Sequence, residues 1–100
     1  MEHEKITIGA GEADGYVIPL GPANLVFVVT GKGLLGCGAF DVCALDGFGY
    51  PASRVRSRDG KPVASIDDLL SGIVREANES AKKLGIKADM PARKALELCK

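Results

Sequence analysis

The first half of the chain alternates short apolar runs with turn residues, a pattern typical of β-strands. Lys5–Ile8 alternates polar and apolar residues, and Tyr16–Ile18 is a second short apolar run. Asn24–Thr30 is continuously apolar and rich in β-branched residues, which predicts a central strand of a sheet. Leu34–Gly38 follows a tight Gly-Lys-Gly connection, so we expect it to pair antiparallel with that strand.

A further strand is predicted where the alternation returns at residues 53–58. Asp59-Gly60 is a strong turn signal and predicts a hairpin that returns through Lys61–Ala64. Pro62 lacks a backbone N–H, so this return strand is expected at the edge of the sheet.

From Ser65 the apolar period changes from 2 to about 3.6 residues, which indicates helices. Ser65 and Asp68 resemble a capping pair for a helix that starts at Ile66. One helical stripe then contains Ile66, Leu69, Leu70, Ile73, Ala77, Ala81 and Leu84, with Ser71-Gly72 as a possible break. Asp41 is expected to open a short helix over residues 42–45, and Asp89 is expected to cap a last helix that has Pro91 in its first turn. These elements predict an α+β fold: a mostly antiparallel sheet from the N-terminal two-thirds, packed by C-terminal helices.

One hundred residues fit a single domain, 1–100, in which residues 1–4 are expected to fray. The first residues are charged and unlike a secretory leader, and no apolar run approaches the roughly 20 residues of a membrane span. The three cysteines are an odd number, which argues against a disulfide framework. We therefore expect a cytoplasmic protein with reduced thiols and no membrane partner.

The charges are unevenly spread. Residues 1–50 carry two Lys and six acidic residues, whereas residues 51–100 carry eleven Lys or Arg and seven acidic residues. The formal net charge is +0, so the sequence gives no electrostatic argument for a nucleic-acid partner. Residues 15–50 contain only three charges, at Lys32, Asp41 and Asp46. Such a charge-poor stretch is hard to bury in so small a domain, and it predicts a homo-oligomer.

An ordered set of modest motifs resembles the YunC-like proteins, a bacterial and archaeal family of unknown function. The set spans roughly residues 15–98 and consists of a Gly-rich turn, Cys37-Gly38, Asp41-Val42, the segment Ser65–Leu70, the segment Ala81–Lys87, Met90 and Ala95-Leu96. The stretch from Gly47 to Lys61 departs most from the family pattern. The resemblance implies a small mixed α/β fold, and it implies no activity, cofactor or catalytic residue.

The segment Gly31–Gly36 matches the spacing G-x-G-x-x-G of dinucleotide-binding loops. That motif must open a helix, whereas Leu34–Gly38 is a poor helix and no acidic residue follows at the required distance. We interpret it as a hairpin turn and expect no cofactor. Three cysteines at spacings of six and fifty-six residues, with one terminal histidine, match no metal-site pattern, so no metal is expected.

Cys37 lies between two glycines and is the candidate nucleophile of the chain, with Asp41 four residues later. A reactive thiolate needs a base or a cation beside it, and the one histidine, His3, lies far away in the sequence. Free cysteine is among the most buried residue types, so we expect Cys37 to pack in the core.

Three arginines, Arg54, Arg56 and Arg58, alternate along the predicted strand 53–58, so their guanidinium groups should share one face. Arginine suits phosphate and carboxylate groups well, and the stripe is a candidate site for a small anionic ligand. The alternative is an exposed edge whose charges discourage aggregation.

Two classes of function remain open. The first is a non-catalytic binding or assembly module that self-associates through its uncharged sheet. The second is a small enzyme that uses Cys37 and Asp41 in a Gly-rich loop, with its substrate at a subunit interface. The absence of a complete catalytic constellation in the sequence favours the first.

Overall fold

A computed structural model describes residues 2–8 and 11–99 of the protein. Within these ranges six strands form one sheet, in the order of the sequence. The strands are β1 (Glu2–Ile8), β2 (Gly11–Pro19), β3 (Asn24–Val29), β4 (Leu34–Gly36), β5 (Ala52–Arg56) and β6 (Ile73–Ala77). The helices are α1 (Val42–Asp46), α2 (Ile66–Leu70), α3 (Glu79–Lys82) and α4 (Ala92–Cys99).

Four of the five strand pairs are antiparallel, and β4 and β5 are parallel. A parallel pair needs a crossover, which residues 37–51 supply with α1 in the middle. The predicted α+β class with a mostly antiparallel sheet is therefore confirmed. No helix in residues 2–8 and 11–99 is long and apolar enough to cross a bilayer.

Strand alternation divides the apolar residues between two faces of the sheet. One face carries Val17, Val26, Leu35, Val55 and Val74, all buried, and packs against side chains of α2 and α4. On the other face a smaller cluster of Leu34, Val42 and Ala52 lies where α1 packs over β5. The helices thus cover one face well and the other only at its β4–β5 side.

Two predicted helix starts are confirmed by their caps. The Ser65 hydroxyl accepts a hydrogen bond from the backbone N–H of Asp68 at 3.1 Å, and the Asp68 carboxylate accepts one from Ala64 N–H at 3.1 Å. An Asp41 side-chain oxygen accepts a hydrogen bond from Ala44 N–H at 3.0 Å. Each cap satisfies backbone donors that a first helical turn leaves without partners.

The helix predicted through residues 73–77 is wrong, because this segment is strand β6, which pairs antiparallel with β5. The predicted return strand at residues 61–64 is also wrong, since these residues form no strand. Its place beside β5 is taken by β6. Ile73 and Val74 are β-branched neighbours that fit an extended backbone, and pairing with β5 outweighs the helical period of the surrounding sequence.

The predicted fraying of residues 1–4 falls partly outside the described residues, because Met1 is not among them. From Glu2 onward the chain is paired with β2, and His3 lies opposite Tyr16. His3 Nε2 lies 2.8 Å from an Asp14 side-chain oxygen, and the same oxygen accepts a hydrogen bond from Lys5 Nζ at 3.0 Å. These two hydrogen bonds hold the pKa of the Asp14 carboxyl below its usual value.

Candidate functional site

Cys37 follows the last residue of β4 and begins a turn that Phe40 N–H closes on the Cys37 carbonyl at 3.3 Å. The Cys37 backbone N–H donates to Val26 O at 3.0 Å, which ties the start of this turn to β3. The side chain is 5% exposed and belongs to the main core cluster, so the prediction that Cys37 is buried is confirmed. Gly38, the next residue, is exposed.

The two catalytic candidates lie on either side of Gly38. Cys37 lines a cleft of about 350 Å³, and Asp41 lines a neighbouring cleft of about 310 Å³ that Gly38 also borders. The Asp41 carboxylate serves as the cap of α1, and no hydrogen bond joins it to Cys37 among the described residues. The catalytic role of this pair stays a prediction.

The three arginines of the predicted stripe lie in different environments. Strand β5 ends at Arg56, so Arg58 lies beyond the strand and the shared strand face does not extend to it. Arg58 Nε instead donates to the Ser71 carbonyl at 3.1 Å. Arg54 makes an ion pair with Glu76, with 2.6 Å between Nη2 and Oε1. Each arginine borders a different cleft.

The cleft beside Cys37 is lined by three cations, of which only one belongs to the predicted arginine stripe. Arg56 lies there with Lys61 and Arg75, and no acidic residue lines this cleft. The sequence did not predict Arg75 at this cleft, because its pattern predicts a helix through residues 73–77. Arg75 is brought to the side of Arg56 by an irregular register between β5 and β6. Arg54 pairs with Glu76, but the next residue, Val55, pairs with Val74. Arg75 is therefore the extra residue of a bulge.

Asn78 is a second residue whose importance the sequence reading missed. Its side chain is buried, its Nδ2 donates to the carbonyls of Val42 and Tyr50 at 2.9 Å each, and its Oδ1 accepts from Ala52 N–H at 3.2 Å and Ala81 N–H at 2.8 Å. One amide thus joins α1, β5 and the start of α3. The signal was present in the sequence, because Asn is a preferred N-cap residue directly before a helix.

Asp46 makes a second link between α1 and α3. One of its side-chain oxygens accepts hydrogen bonds from the Ser80 backbone N–H at 2.9 Å and from the Ser80 hydroxyl at 2.8 Å. Both bonds favour the charged form, and they hold the pKa of the Asp46 carboxyl below its usual value. The crossover between β4 and β5 is therefore anchored by polar groups as well as by the small apolar cluster.

A row of aromatic side chains crosses the face of the sheet opposite α2 and α4. His3, Tyr16 and Phe27 occupy opposed positions on β1, β2 and β3, and the next position in this row is Gly36 on β4. Phe40 packs directly over Gly36, where a side chain would otherwise stand. Ring centroids are 4.8 Å apart for His3 and Tyr16, 5.1 Å for Tyr16 and Phe27, and 5.4 Å for Phe27 and Phe40.

The residues around this row are only partly buried. Tyr16 and Ile18 on β2 and Phe27 and Val29 on β3 are each half-buried, although all four point to one side of the sheet. We call the surface formed by these four residues and Phe40 the open face. In the same charge-poor segment, residues 15–50, Leu20 is 59% exposed and Phe48 is 85% exposed. The charge-poor segment therefore places apolar and aromatic groups where solvent reaches them.

The three cysteines are free thiols in different environments: Cys43 is exposed, whereas Cys37 and Cys99 are buried. Burial raises the pKa of the Cys99 thiol to about 11. Among the described residues, no three His, Cys, Asp or Glu side chains cluster in a way that could hold a metal ion.

We expect iodoacetamide at pH 8 to label Cys43 in the native protein at least about tenfold faster than Cys37 or Cys99, because only exposed thiols with accessible thiolate react readily. Peptide mass mapping over time measures the three rates. Denatured protein, in which all three should react, is the control, and Cys43→Ser should leave the native protein nearly unlabelled. Selective early labelling of Cys37 would contradict this expectation and support the enzyme alternative.

The fold and these surfaces define a small α+β protein built on a mostly antiparallel sheet. The chain belongs to the family described as a domain of unknown function, DUF1805, whose model matches residues 36–99. This agrees with the YunC-like resemblance of the sequence. The structure is similar to the crystal structure of a protein of unknown function, TA1206, from Thermoplasma acidophilum, with a TM-score of 0.88 and 29% identity over 99% of this chain and 92% of that one. A search of curated proteins gives no significant match.

Proposed function

We propose that the protein is a non-catalytic assembly module, which forms a homo-oligomer by packing the open face of its sheet against the same face of a second copy. The observation that carries this proposal is the row of partly exposed rings formed by Tyr16, Phe27 and Phe40 on a face where the helices cover only the β4–β5 side. Contiguous apolar surface of this kind usually marks an interface.

A second copy is the partner that this surface fits best. The open face carries no formal charge, so an identical face can meet it without repulsion and without needing a complementary charge pattern. At its β1 side the row ends in a polar group in which His3 and Lys5 both contact Asp14. An apolar centre bordered by polar groups is the usual arrangement of protein interfaces, in which the rim remains in contact with water.

The enzyme alternative receives less support from the geometry. The Cys37 thiol is buried, and the Asp41 carboxylate caps helix α1. A cytoplasmic location belongs to the same proposal, because three free thiols, one of them exposed, suit a reducing compartment.

Sedimentation velocity across micromolar concentrations tests the proposal. We expect the wild-type protein to sediment as a dimer or larger species, well above the 10.4 kDa of one chain. Tyr16→Lys places a charge on the open face, and burying that charge in an apolar interface is costly. This variant should therefore sediment as a monomer at concentrations where the wild type is associated.

The matched control is Ala88→Lys, which adds the same charge at an exposed loop residue away from the open face. It should associate as the wild type does. Circular dichroism and thermal unfolding establish that Tyr16→Lys is folded, and Ile18→Lys gives a second charged variant of the same face. A wild type that is monomeric throughout, or charged variants that associate unchanged, would refute assembly through this face.

A further inference from the structure

The cleft beside Cys37 is unusual in its charges. Its volume is about 350 Å³, and its lining includes the cations Arg56, Lys61 and Arg75 and no carboxylate. Three like charges around one small cleft repel each other unless an anion or solvent separates them. Elsewhere on β5 and β6 the chain pairs its charges, as in the ion pair between Arg54 and Glu76.

These three cations have no partner among the described residues: none of them makes an ion pair or a side-chain hydrogen bond there. Their neighbours differ in this respect, because Arg54 is paired with Glu76 and Arg58 donates to Ser71 O. The cleft therefore holds guanidinium and ammonium groups whose donors are available to a ligand.

The backbone around the cleft is held in place independently of any ligand. Lys61 N–H donates to an Asp59 side-chain oxygen at 3.1 Å, and the Lys61 carbonyl accepts a hydrogen bond from the Ser57 hydroxyl. The carbonyl of Arg56 packs against Gly72, where even a methyl group would collide with it. These contacts fix the end of β5 and the following turn. The backbone from which the Arg56 and Lys61 side chains extend is therefore held in a defined position.

We propose that this cleft binds the phosphate group of a small metabolite, with Arg56, Lys61 and Arg75 as its ligands. Guanidinium groups offer paired donors that match phosphate oxygens, and lysine adds a point charge. Val55 and Val63 give the cleft apolar walls, which suit the carbon skeleton that carries the phosphate. The site is separate from the open face and does not depend on self-assembly.

The experiment titrates inorganic phosphate into the protein at constant ionic strength, with chloride as the competing anion, and follows backbone amide shifts by NMR. We expect saturable shifts at Gly38, Gly60 and Lys61, which border the cleft. Arg56→Gln and Arg75→Gln change exposed side chains, so folding should be retained. Each should weaken phosphate binding by about tenfold or more, since each removes charge-assisted hydrogen bonds.

Two further Arg→Gln variants serve as controls, because they make the same chemical change outside the cleft. Arg93→Gln removes an exposed charge on α4, away from the cleft, and should leave the affinity unchanged. Arg58→Gln should have little effect, because Arg58 donates to the Ser71 carbonyl in the adjoining cleft and does not line the cleft beside Cys37, although Ser57 and Lys61 border both. Absence of a saturable response in the wild type would overturn the proposal, as would an equal loss of affinity in Arg93→Gln. A loss in Arg58→Gln alone would assign phosphate to the other cleft and overturn it as well.

Discussion

Replacing Asn78 with alanine is expected to lower the free energy of unfolding by about 3–4 kcal/mol, because the change removes a helix cap and leaves buried backbone groups without partners. The four hydrogen bonds of this side chain are shared among α1, β5 and α3, so no single element can move to restore them. The Asn78 side chain is buried, so water cannot readily replace the amide.

Chemical denaturation of the wild type and Asn78→Ala measures the loss. Asn24→Ala is the matched control, because its side chain makes one hydrogen bond, from Nδ2 to Ala64 O at 3.0 Å, and is only half-buried. We expect that variant to lose no more than about 1 kcal/mol. Equal losses in the two variants would show that the Asn78 network does not carry the stability assigned to it.

Within the G-x-G-x-x-G segment, Gly33→Ala is expected to lower the free energy of unfolding by about 2–3 kcal/mol, in the upper part of the range for overpacked buried sites. A Cβ at Gly33 would lie 2.5 Å from the backbone oxygen of Pro51. That oxygen also accepts a hydrogen bond from Leu34 N–H at 3.0 Å, at the start of the parallel β4–β5 pair. The other close atoms belong to the same proline, with its Cβ at 3.1 Å and its carbonyl carbon at 3.3 Å, so no flexible side chain can move aside to make room.

Gly31→Ala provides the control inside the same motif, because a Cβ there would meet nothing within 4 Å. Its free energy of unfolding should change by less than about 0.5 kcal/mol. Thermal and urea unfolding of both variants measure the two changes in the free energy of unfolding. A large loss in Gly31→Ala together with a small one in Gly33→Ala would mean that the glycines serve a need other than strand packing.

Where periodicity and local caps agreed, the sequence was sufficient to predict the elements. Asn24–Val29 is a strand because its apolar run is too continuous for a surface element, and Ser65 starts a helix through its own hydroxyl. The burial of Cys37 also followed from residue type. Ile73–Ala77 could not be assigned correctly, because its helical period extends that of α2 and only pairing with β5 makes it a strand.

The set of cations in the cleft beside Cys37 could also be predicted only in part from the sequence. The sequence singled out Arg56, because alternation along one strand is a local property. Arg75 joins it through a bulge in a different strand, and the bulge is a property of the pairing between β5 and β6. Local sequence carries no signal for such a register shift, so the composition of this cleft becomes visible only in three dimensions.

The strictly sequential order of the sheet has a consequence for how the chain folds. Each strand pairs with the strand that precedes it in sequence, and the longest connections between partners are residues 37–51 and 57–72. Growth of the sheet therefore requires only modest loop closures, whose entropic cost rises slowly with length. Pairing between successive strands is favoured kinetically over pairing between strands that are far apart in sequence. Each newly formed edge can be covered by the next segment of the chain, which shortens the time during which an unpaired edge could recruit another molecule.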